Sequence, residues 1–208
     1  MVYLVGGPPK CGKTTLAKKL SKELGVPWIS ADTLQNIAWA YIDKSDHATF
    51  FPHSHLKGQS NDETYSQNSA EKISNGYIEQ GKTSYKAISM LVETMIADQD
   101  DFIIEGYQVT PEIADEVIKK YGAVNVRAIF LAKHDAKKFV EDLHKSTTPN
   151  DWIKEKTKDE GTFNKIADMV ALYSDYFENE AGKYGFKVMN MDNDFEGNIY
   201  AAIEYLRS

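Results

Sequence analysis

Residues 7–14 read Gly7-Pro8-Pro9-Lys10-Cys11-Gly12-Lys13-Thr14, the full G-x-x-x-x-G-K-[ST] spacing of a phosphate-binding loop. The run before it, Val2-Tyr3-Leu4-Val5, is apolar and strand-like. After it, Leu16, Leu20 and Leu24 recur at helical spacing until Gly25 stops the pattern. Strand, loop and helix in that order aim backbone N–H groups and the positive end of a helix dipole at one point, an arrangement suited to a polyphosphate. The residues expected around that anion are Gly7, Lys10, Cys11, Gly12, Lys13, Thr14 and Thr15. Lys13 is expected to reach the β- and γ-phosphates, and the Thr14 hydroxyl to ligate Mg²⁺. The loop predicts a nucleoside triphosphate ligand.

Outward from the loop, apolar runs alternate with helical patterns, as in a parallel sheet covered by helices. Strands are expected at Val26–Ala31, Phe102–Ile104, Val124–Leu131 and Phe186–Met191. Helices are expected over Thr33–Tyr41, roughly 63–80 and 82–97 with a break near Gly81, from Pro111 to Gly122, near 135–145 and 163–182, and from Glu196 onward. A polar stretch from Asp43 to Asp62 carries the least periodicity, and Ser146 to Gly161 is charged and turn-prone. The pattern predicts an α/β/α layered fold with its ligand at the carboxyl ends of the strands. Two carboxylates stand at such ends. Asp32 follows the second strand and Glu105 the third. Triphosphate chemistry uses one acid on the metal side and one on the acceptor side. Glu105 is assigned to Mg²⁺, through water, and Asp32 to the acceptor hydroxyl; capping of the Thr33 helix is the structural alternative for Asp32. Lys13, Asp32 and Glu105 are thus the candidate catalytic set.

The 208 residues carry a net charge of −7, which argues against nucleic-acid or anionic-membrane partners. A single cysteine, Cys11, rules out an internal disulfide framework and fits a reducing compartment. No apolar run approaches spanning length, and a first strand at residue 2 leaves no room for a signal peptide, so a cytoplasmic location is expected. Arg127 and Arg207 are the only arginines; every other side-chain cation except histidine is a lysine.

Gly6 to Thr15, Ile29-Ser30-Ala31-Asp32 and Ile103-Ile104-Glu105-Gly106 together make the chain similar to the P-loop small-molecule kinases, the adenylate, shikimate and gluconate kinase superfamily. The resemblance implies a three-layer P-loop NTPase fold with a five-stranded parallel sheet of order 2-3-1-4-5, ATP with Mg²⁺ as donor, and a helical lid. On that basis residues 1–208 form a single kinase domain, with an acceptor-binding insertion at about 33–98 and a lid at about 135–165. Glu105-Gly106-Tyr107-Gln108-Val109-Thr110-Pro111 is also weakly similar to 2-phosphoglycerate-kinase-like proteins. There are departures. Val109 stands where adenylate kinases place an arginine that grips a nucleoside monophosphate, and 132–182 contains no arginine. Lys145, Lys154, Lys156 and Lys158 are the available lid cations, without the bidentate fork of arginine. Lys10 occupies a position often held by glycine, which predicts a strained turn.

His47, His53 and His55 fit no common zinc spacing and are read as part of a loop over the acceptor pocket. Trp39, Tyr41, Phe50 and Phe51 are expected to hold that loop down, and Asp192-Asn193-Asp194 to border the adenine. The resulting reading is a phosphotransferase that moves the γ-phosphoryl group of ATP to a small cytosolic metabolite. Alternatives are a nucleotide-binding regulator that no longer transfers phosphate, and a GTP-driven switch. The switch lacks its N-K-x-D guanine motif, since Asn164-Lys165 is followed by Ala167 where the acid is needed.

Overall fold

A computed structural model describes residues 1–148 and 151–208. Positions 149 and 150, inside the turn-prone stretch and the expected lid, lie outside the described residues. The chain runs β1 (Val2–Gly6), α1 (Lys13–Leu24), β2 (Trp28–Ser30), α2 (Ala31–Tyr41), a 3₁₀ turn at Lys44–Asp46, α3 (His47–Phe50), α4 (Pro52–Leu56), α5 (Asn61–Gln67), α6 (Ala70–Lys82) and α7 (Tyr85–Ala97). It continues with β3 (Phe102–Glu105), α8 (Pro111–Tyr121), β4 (Val126–Ala132), α9 (Ala136–Lys145), α10 (Trp152–Lys156), α11 (Glu160–Tyr184), β5 (Val188–Asn190) and α12 (Phe195–Arg207). The five strands form one parallel sheet in the order β2-β3-β1-β4-β5.

Period-two alternation along the strands sorts the core into two layers. Val2, Leu4, Ile104, Ala128 and Phe130 face a layer supplied by α6, α7, α8, α9 and α11. Tyr3, Val5, Ile103, Ile129 and Leu131 face α1 and α12, where Leu16, Leu20, Ile199 and Ile203 are buried. The central strands are apolar apart from Arg127 in β4 and Glu105 at the end of β3, because helices cover both faces. Helix ends follow local chemistry. Asp159 caps α11 by accepting from Thr162 N at 2.9 Å, and Gly185 closes it with φ 74°. Pro111 opens α8 and Gly122 ends it.

The expected elements are present, with shifts of boundary that have physical causes. Ser30, not Asp32, caps α2, because its hydroxyl accepts from Asp32 N; Asp32 lies inside the first turn, and its side chain is left for other work. Gly81 continues α6, and the chain breaks instead at Thr83 and Ser84. A Cβ at Gly81 would meet Gln108 Cα at 3.6 Å, an ordinary contact, so the helix runs through this position without strain. The aperiodic stretch after Asp43 folds into the short helices α3, α4 and the start of α5, anchored by Phe51, which is fully buried and packs its ring 4.7 Å from Trp39. Phe50 and Tyr41 are exposed instead.

Two staples tie α5 to the segment after α9. Asn61 Nδ2 donates to Thr157 Oγ1 at 3.0 Å, and Asp62 accepts from Lys158 N at 2.9 Å and Asp159 N at 3.3 Å. Among the described residues, no helix is long and apolar enough to cross a membrane.

Phe130 sits fully buried mid-strand, against Phe177 and Phe186, and also fills the space over Gly6. Phe130→Ala should lower unfolding free energy by about 3–5 kcal/mol through lost burial plus a residual cavity. Urea denaturation checks this; a loss below about 1 kcal/mol would mean that the sheet does not pack as described.

Candidate active site

The phosphate loop opens onto a cleft of about 1020 Å³ at the carboxyl edge of the sheet. Its position follows from register. Val5 and Ser30 both pair with Glu105, so β1, β2 and β3 end side by side and their following residues share one rim. Lys10, Gly12, Lys13, Thr14, Thr15, Asp32 and Glu105 all line the cleft. Gly7 and Cys11 sit behind it. Gly7 packs its backbone against the Leu131 carbonyl, and Cys11 is fully buried, its thiol donating to Pro8 O at 2.9 Å. Burial pushes the Cys11 thiol up from its ordinary pKa, so it serves as a packed, neutral strut of the loop.

The loop's shape depends on three residues with positive φ, Gly7 at 138° among them. Gly12 has φ 103°, and a side chain there would run into the Phe195 ring at 2.7 Å. Lys10 adopts φ 63°, a conformation that costs a non-glycine residue roughly 1–2 kcal/mol. Its ammonium in return reaches Asp151 Oδ2 at 2.8 Å, linking the loop to the cap of α10.

Lys13 Nζ donates to Pro8 O at 2.5 Å. Thr14 Oγ1 donates to Glu105 Oε1 at 3.0 Å, joining α1 to the end of β3. Glu105 is almost wholly buried, and desolvation raises its pKa, opposed by Lys13 and the Thr14 hydroxyl. A hydroxyl and a carboxylate side by side form a hard oxygen donor pair of the type that suits Mg²⁺.

Asp32 is held from the opposite side. Gln108, fully buried, donates Nε2 to Asp32 Oδ1 at 2.8 Å and to Gln35 Oε1 at 3.1 Å. Tyr107 OH also donates to Gln35 Oε1, at 2.5 Å, and receives a bond from Gln80 Nε2 at 2.9 Å. Gln80 Oε1 accepts from Ser54 N at 2.8 Å. This amide chain fixes the direction of every group in it. It leaves one oxygen of Asp32 unclaimed by Gln108 and leaves Gln108 Oε1 buried without a partner among the described residues. Gln35, Gln80, Gln108, Tyr107, Lys57 and Lys133 were not assigned to the site from the sequence, whereas His53 was read as part of the loop over the acceptor pocket. Gln35 lies one turn along α2 from Asp32, and Gln80, Lys57 and Lys133 come from elements that only the folded topology brings to the cleft. Gln108 and Tyr107, three and two residues past Glu105, were within reach of a reading that asked what orients the acid.

Val109 is fully buried and does not line the cleft, so its side chain does not grip a ligand. Of the expected lid lysines, Lys145 lines the cleft, whereas Lys154 donates to the Ser146 carbonyl at 2.8 Å. The cations facing the donor half are instead Lys133 and Lys138, which share Asp142 at 3.5 and 3.1 Å. Both arginines are elsewhere: Arg127 donates to Leu206 O, and Arg207 pairs with Glu204. Asp192 and Asp194 line the cleft opposite α2, and Asp192 accepts from the backbone N–H groups of His134 and Asp135. Of the three histidines in the aperiodic stretch, His53 faces the cleft, stacked 3.5 Å from Tyr77. Among the described residues the group that could hold a metal ion is His134, Asp175 and Glu178, outside the cleft, and not these histidines.

The model of the ATPase family associated with various cellular activities matches residues 3–104, from β1 to β3 with the phosphate loop between. A mevalonate-3-phosphate 5-kinase of Thermoplasma acidophilum is 22% identical over 57% of this chain and 56% of its own length, so the chain spans just over half of that relative. Solved structures agree over the whole chain. A sugar kinase from a Janibacter species is 15% identical with a TM-score of 0.51, covering 99% of this chain and 94% of that one. Residues 3–104 are thus similar to that ATPase family, and over its full length the chain shares the fold of the sugar kinase. An uncharacterized protein from Eubacterium ventriosum, 14% identical with a TM-score of 0.51 over 100% of this chain and 98% of that one, shares the fold. The agreement with these structures is one of fold, and the ATPase-family match spans the phosphate loop and Asp32 and ends one residue before Glu105.

Burial lowers the His53 pKa well below its ordinary value, with Lys57 adding to the effect. The unfolded chain therefore binds a proton near pH 6.5 that the folded chain refuses. This contribution is complete above pH 6.5 and is lost progressively as pH falls below it. His53→Phe, which keeps the stack on Tyr77, should reduce the loss of stability between pH 7 and pH 5 relative to the parent. Thermal melts across that range check it; an unchanged slope would remove His53 as the cause.

Proposed function

We propose that the protein transfers the γ-phosphoryl group of ATP to a hydroxyl of a small metabolite. The observation that carries the reading is the Thr14–Glu105 contact at 3.0 Å beside Lys13, at one end of a cleft whose other side presents an oriented Asp32. The loop N–H groups and Lys13 would hold the β- and γ-phosphates, and Thr14 with Glu105 would hold Mg²⁺, which neutralises charge on the transferring group. Asp32 accepts a hydrogen bond from the attacking hydroxyl and brings it into line. The new bond forms between that oxygen and the γ-phosphorus, the bond to the β–γ bridging oxygen breaks, ADP leaves, and the hydroxyl proton passes to Asp32 or to water. Lys133 and Lys138 supply positive charge on the lid side. Catalysis is then mainly positioning and charge compensation. The kinase names of the Thermoplasma and Janibacter proteins support the reaction class. A second reading, a regulator that binds nucleotide without transfer, is favoured by the absence of arginine from the cleft lining. Acceptor-dependent release of ADP separates the two.

Lys13→Ala should abolish or sharply weaken ATP binding in titration calorimetry while the far-UV spectrum and melting temperature stay near the parent's. Glu105→Gln should slow transfer with every acceptor and shift the Mg²⁺ dependence. Asp32→Asn should leave affinity for a non-hydrolysable ATP analogue intact and depress turnover by about 10²-fold, the low end for removal of a general base, because a loose transition state needs little base help. A large loss of nucleotide affinity in Asp32→Asn, with turnover intact at saturation, would reverse the two assignments.

Because Val109 stands where an arginine would clamp the phosphate, adenosine, cytidine and uridine monophosphates should be poor acceptors. Their efficient conversion to diphosphates, followed by chromatography, would contradict that.

A further inference from the structure

Two lysines of the cleft are buried, Lys13 at 9% exposure and Lys133 at 8%. Lys13 belongs to the phosphate loop. Lys133 follows the last residue of β4, and its backbone is clamped. Its N–H donates to Ser174 Oγ at 2.9 Å, and the same hydroxyl donates to the Lys133 carbonyl at 2.8 Å. Ser174 is itself fully buried in α11. The next residue is pinned too, because His134 N donates to both carboxylate oxygens of Asp192 at 3.1 Å. The stem of Lys133 thus leaves from a point fixed to α11 and to the chain just past β5.

The ammonium is held less tightly than the backbone. Among the described residues, the acid within its reach is Asp142, whose Oδ2 stands 3.5 Å away, longer than a hydrogen bond. Asp142 gives its other oxygen to Lys138, one turn back on α9, at 3.1 Å. Lys133 therefore keeps a desolvated charge in the cleft with N–H donors to spare. The remaining cleft lysines are placed differently. Lys10 has Asp151 at 2.8 Å, Lys138 is bonded within its own helix, and Lys57 and Lys145 are exposed. The position of Lys133 also suits a phosphate. Gly7 of the loop packs against the Leu131 carbonyl, two residues before Lys133. The charge of Lys133 acts on the buried Cys11 thiol in the same sense as that of Lys13, so both ammonium groups bear on one loop from two different elements.

Resting on the kinase reading above, we infer that Lys133 is a catalytic residue that contacts the γ-phosphoryl group, donating an N–H to one of its non-bridging oxygens. No proton moves in this contact. Lys133 stays an ammonium and compensates the charge on the γ-phosphoryl oxygens while the bond to the β–γ bridging oxygen breaks. Asp142 yields Lys133 to the phosphate and keeps Lys138. The cation is thus carried by the clamped end of a strand and not by a lid, which fits a 132–182 segment without arginine.

The test needs no acceptor and uses the full chain with Mg²⁺. Calorimetry gives Kd for ADP, for a non-hydrolysable ATP analogue, and for ADP with aluminium fluoride, which mimics a phosphoryl group in transfer. Lys133→Met, which keeps a stem and removes the charge, should bind ADP as the parent does. It should bind the ATP analogue about 10- to 100-fold more weakly, the range for a lost hydrogen bond to a charged group. The fluoride complex should weaken further, by about 10²- to 10³-fold, as for a lost transition-state donor. Lys133→Arg should recover most of both losses. Lys137→Met, an exposed α9 lysine outside the cleft lining, should change neither. A fluoride complex that forms on the parent and survives Lys133→Met unchanged would overturn the inference and leave the kinase reading standing. A Lys133-dependent preference for the ATP analogue over ADP, with no fluoride complex on the parent, would keep the γ-phosphoryl contact and count against transfer. Equal losses of ADP and analogue with a lowered melting temperature would make Lys133 a structural residue and overturn the inference.

Discussion

The backbone of β1 leaves the sheet at Gly6 with no room for a side chain, and the site depends on that contact. A Cβ at Gly6 would fall 2.0 Å from the Val109 carbonyl and 2.5 Å from the Phe130 ring. The strand end can therefore lie directly between the segment after β3 and strand β4. Val109 belongs to the same turn that carries Gln108, so the closeness at Gly6 also sets how far Gln108 stands from Asp32. From Gly6 the chain turns through the phosphate loop and delivers Lys13 and Thr14 to the rim where Glu105 ends β3. Donor and acceptor groups are thus located by a single set of backbone contacts at the sheet edge, and helices on both faces hold that edge rigid.

Charge is arranged unevenly across this frame. A chain with net charge −7 gathers lysines at the cleft and then offsets those on the donor side with Asp142 and Asp151. The pairs involve one partner that is nearly buried, where the Coulomb attraction is stronger than at an open surface but desolvation opposes it. Lysine, a strongly hydrated point charge, lacks the fixed fork of arginine, so orientation of any phosphate must come largely from the backbone N–H groups of the loop. The strain at Lys10 fits this division: a left-handed lysine brings a cation across the loop to α10, where a glycine would bring nothing.

The layered fold could be read from the sequence because the phosphate loop fixes where β1 ends and α1 begins, and because β1, β3 and β4 are largely apolar runs, while the sheet order came from the family resemblance. Glu105 was legible for the same reason, as the first charge after Ile103-Ile104. The acceptor side was not. Gln35, Gln80 and Lys57 are polar residues on amphipathic or irregular segments, where such residues ordinarily face solvent, and nothing in their spacing marks them as facing a cleft. Ser30 as the cap of α2 was missed because Asp is also a good cap and stands two residues later. Lys133 was passed over because it lies immediately beyond a buried strand, ahead of the expected lid at about 135–165.

The staples between α5 and the segment around α10 have a mechanical consequence. Asn61 and Asp62 fasten the cover of the acceptor half to the chain that crosses above the phosphate loop, and Lys10–Asp151 fastens that same chain to the loop itself. Each such bond contributes about 0.5–1.5 kcal/mol net, and more where a charge takes part. Lifting α10 away from the loop must either carry α5 along or break these bonds one after another. The two roofs of the cleft are geared together as one lever, so widening the entrance for a nucleotide also loosens the walls around its reaction partner.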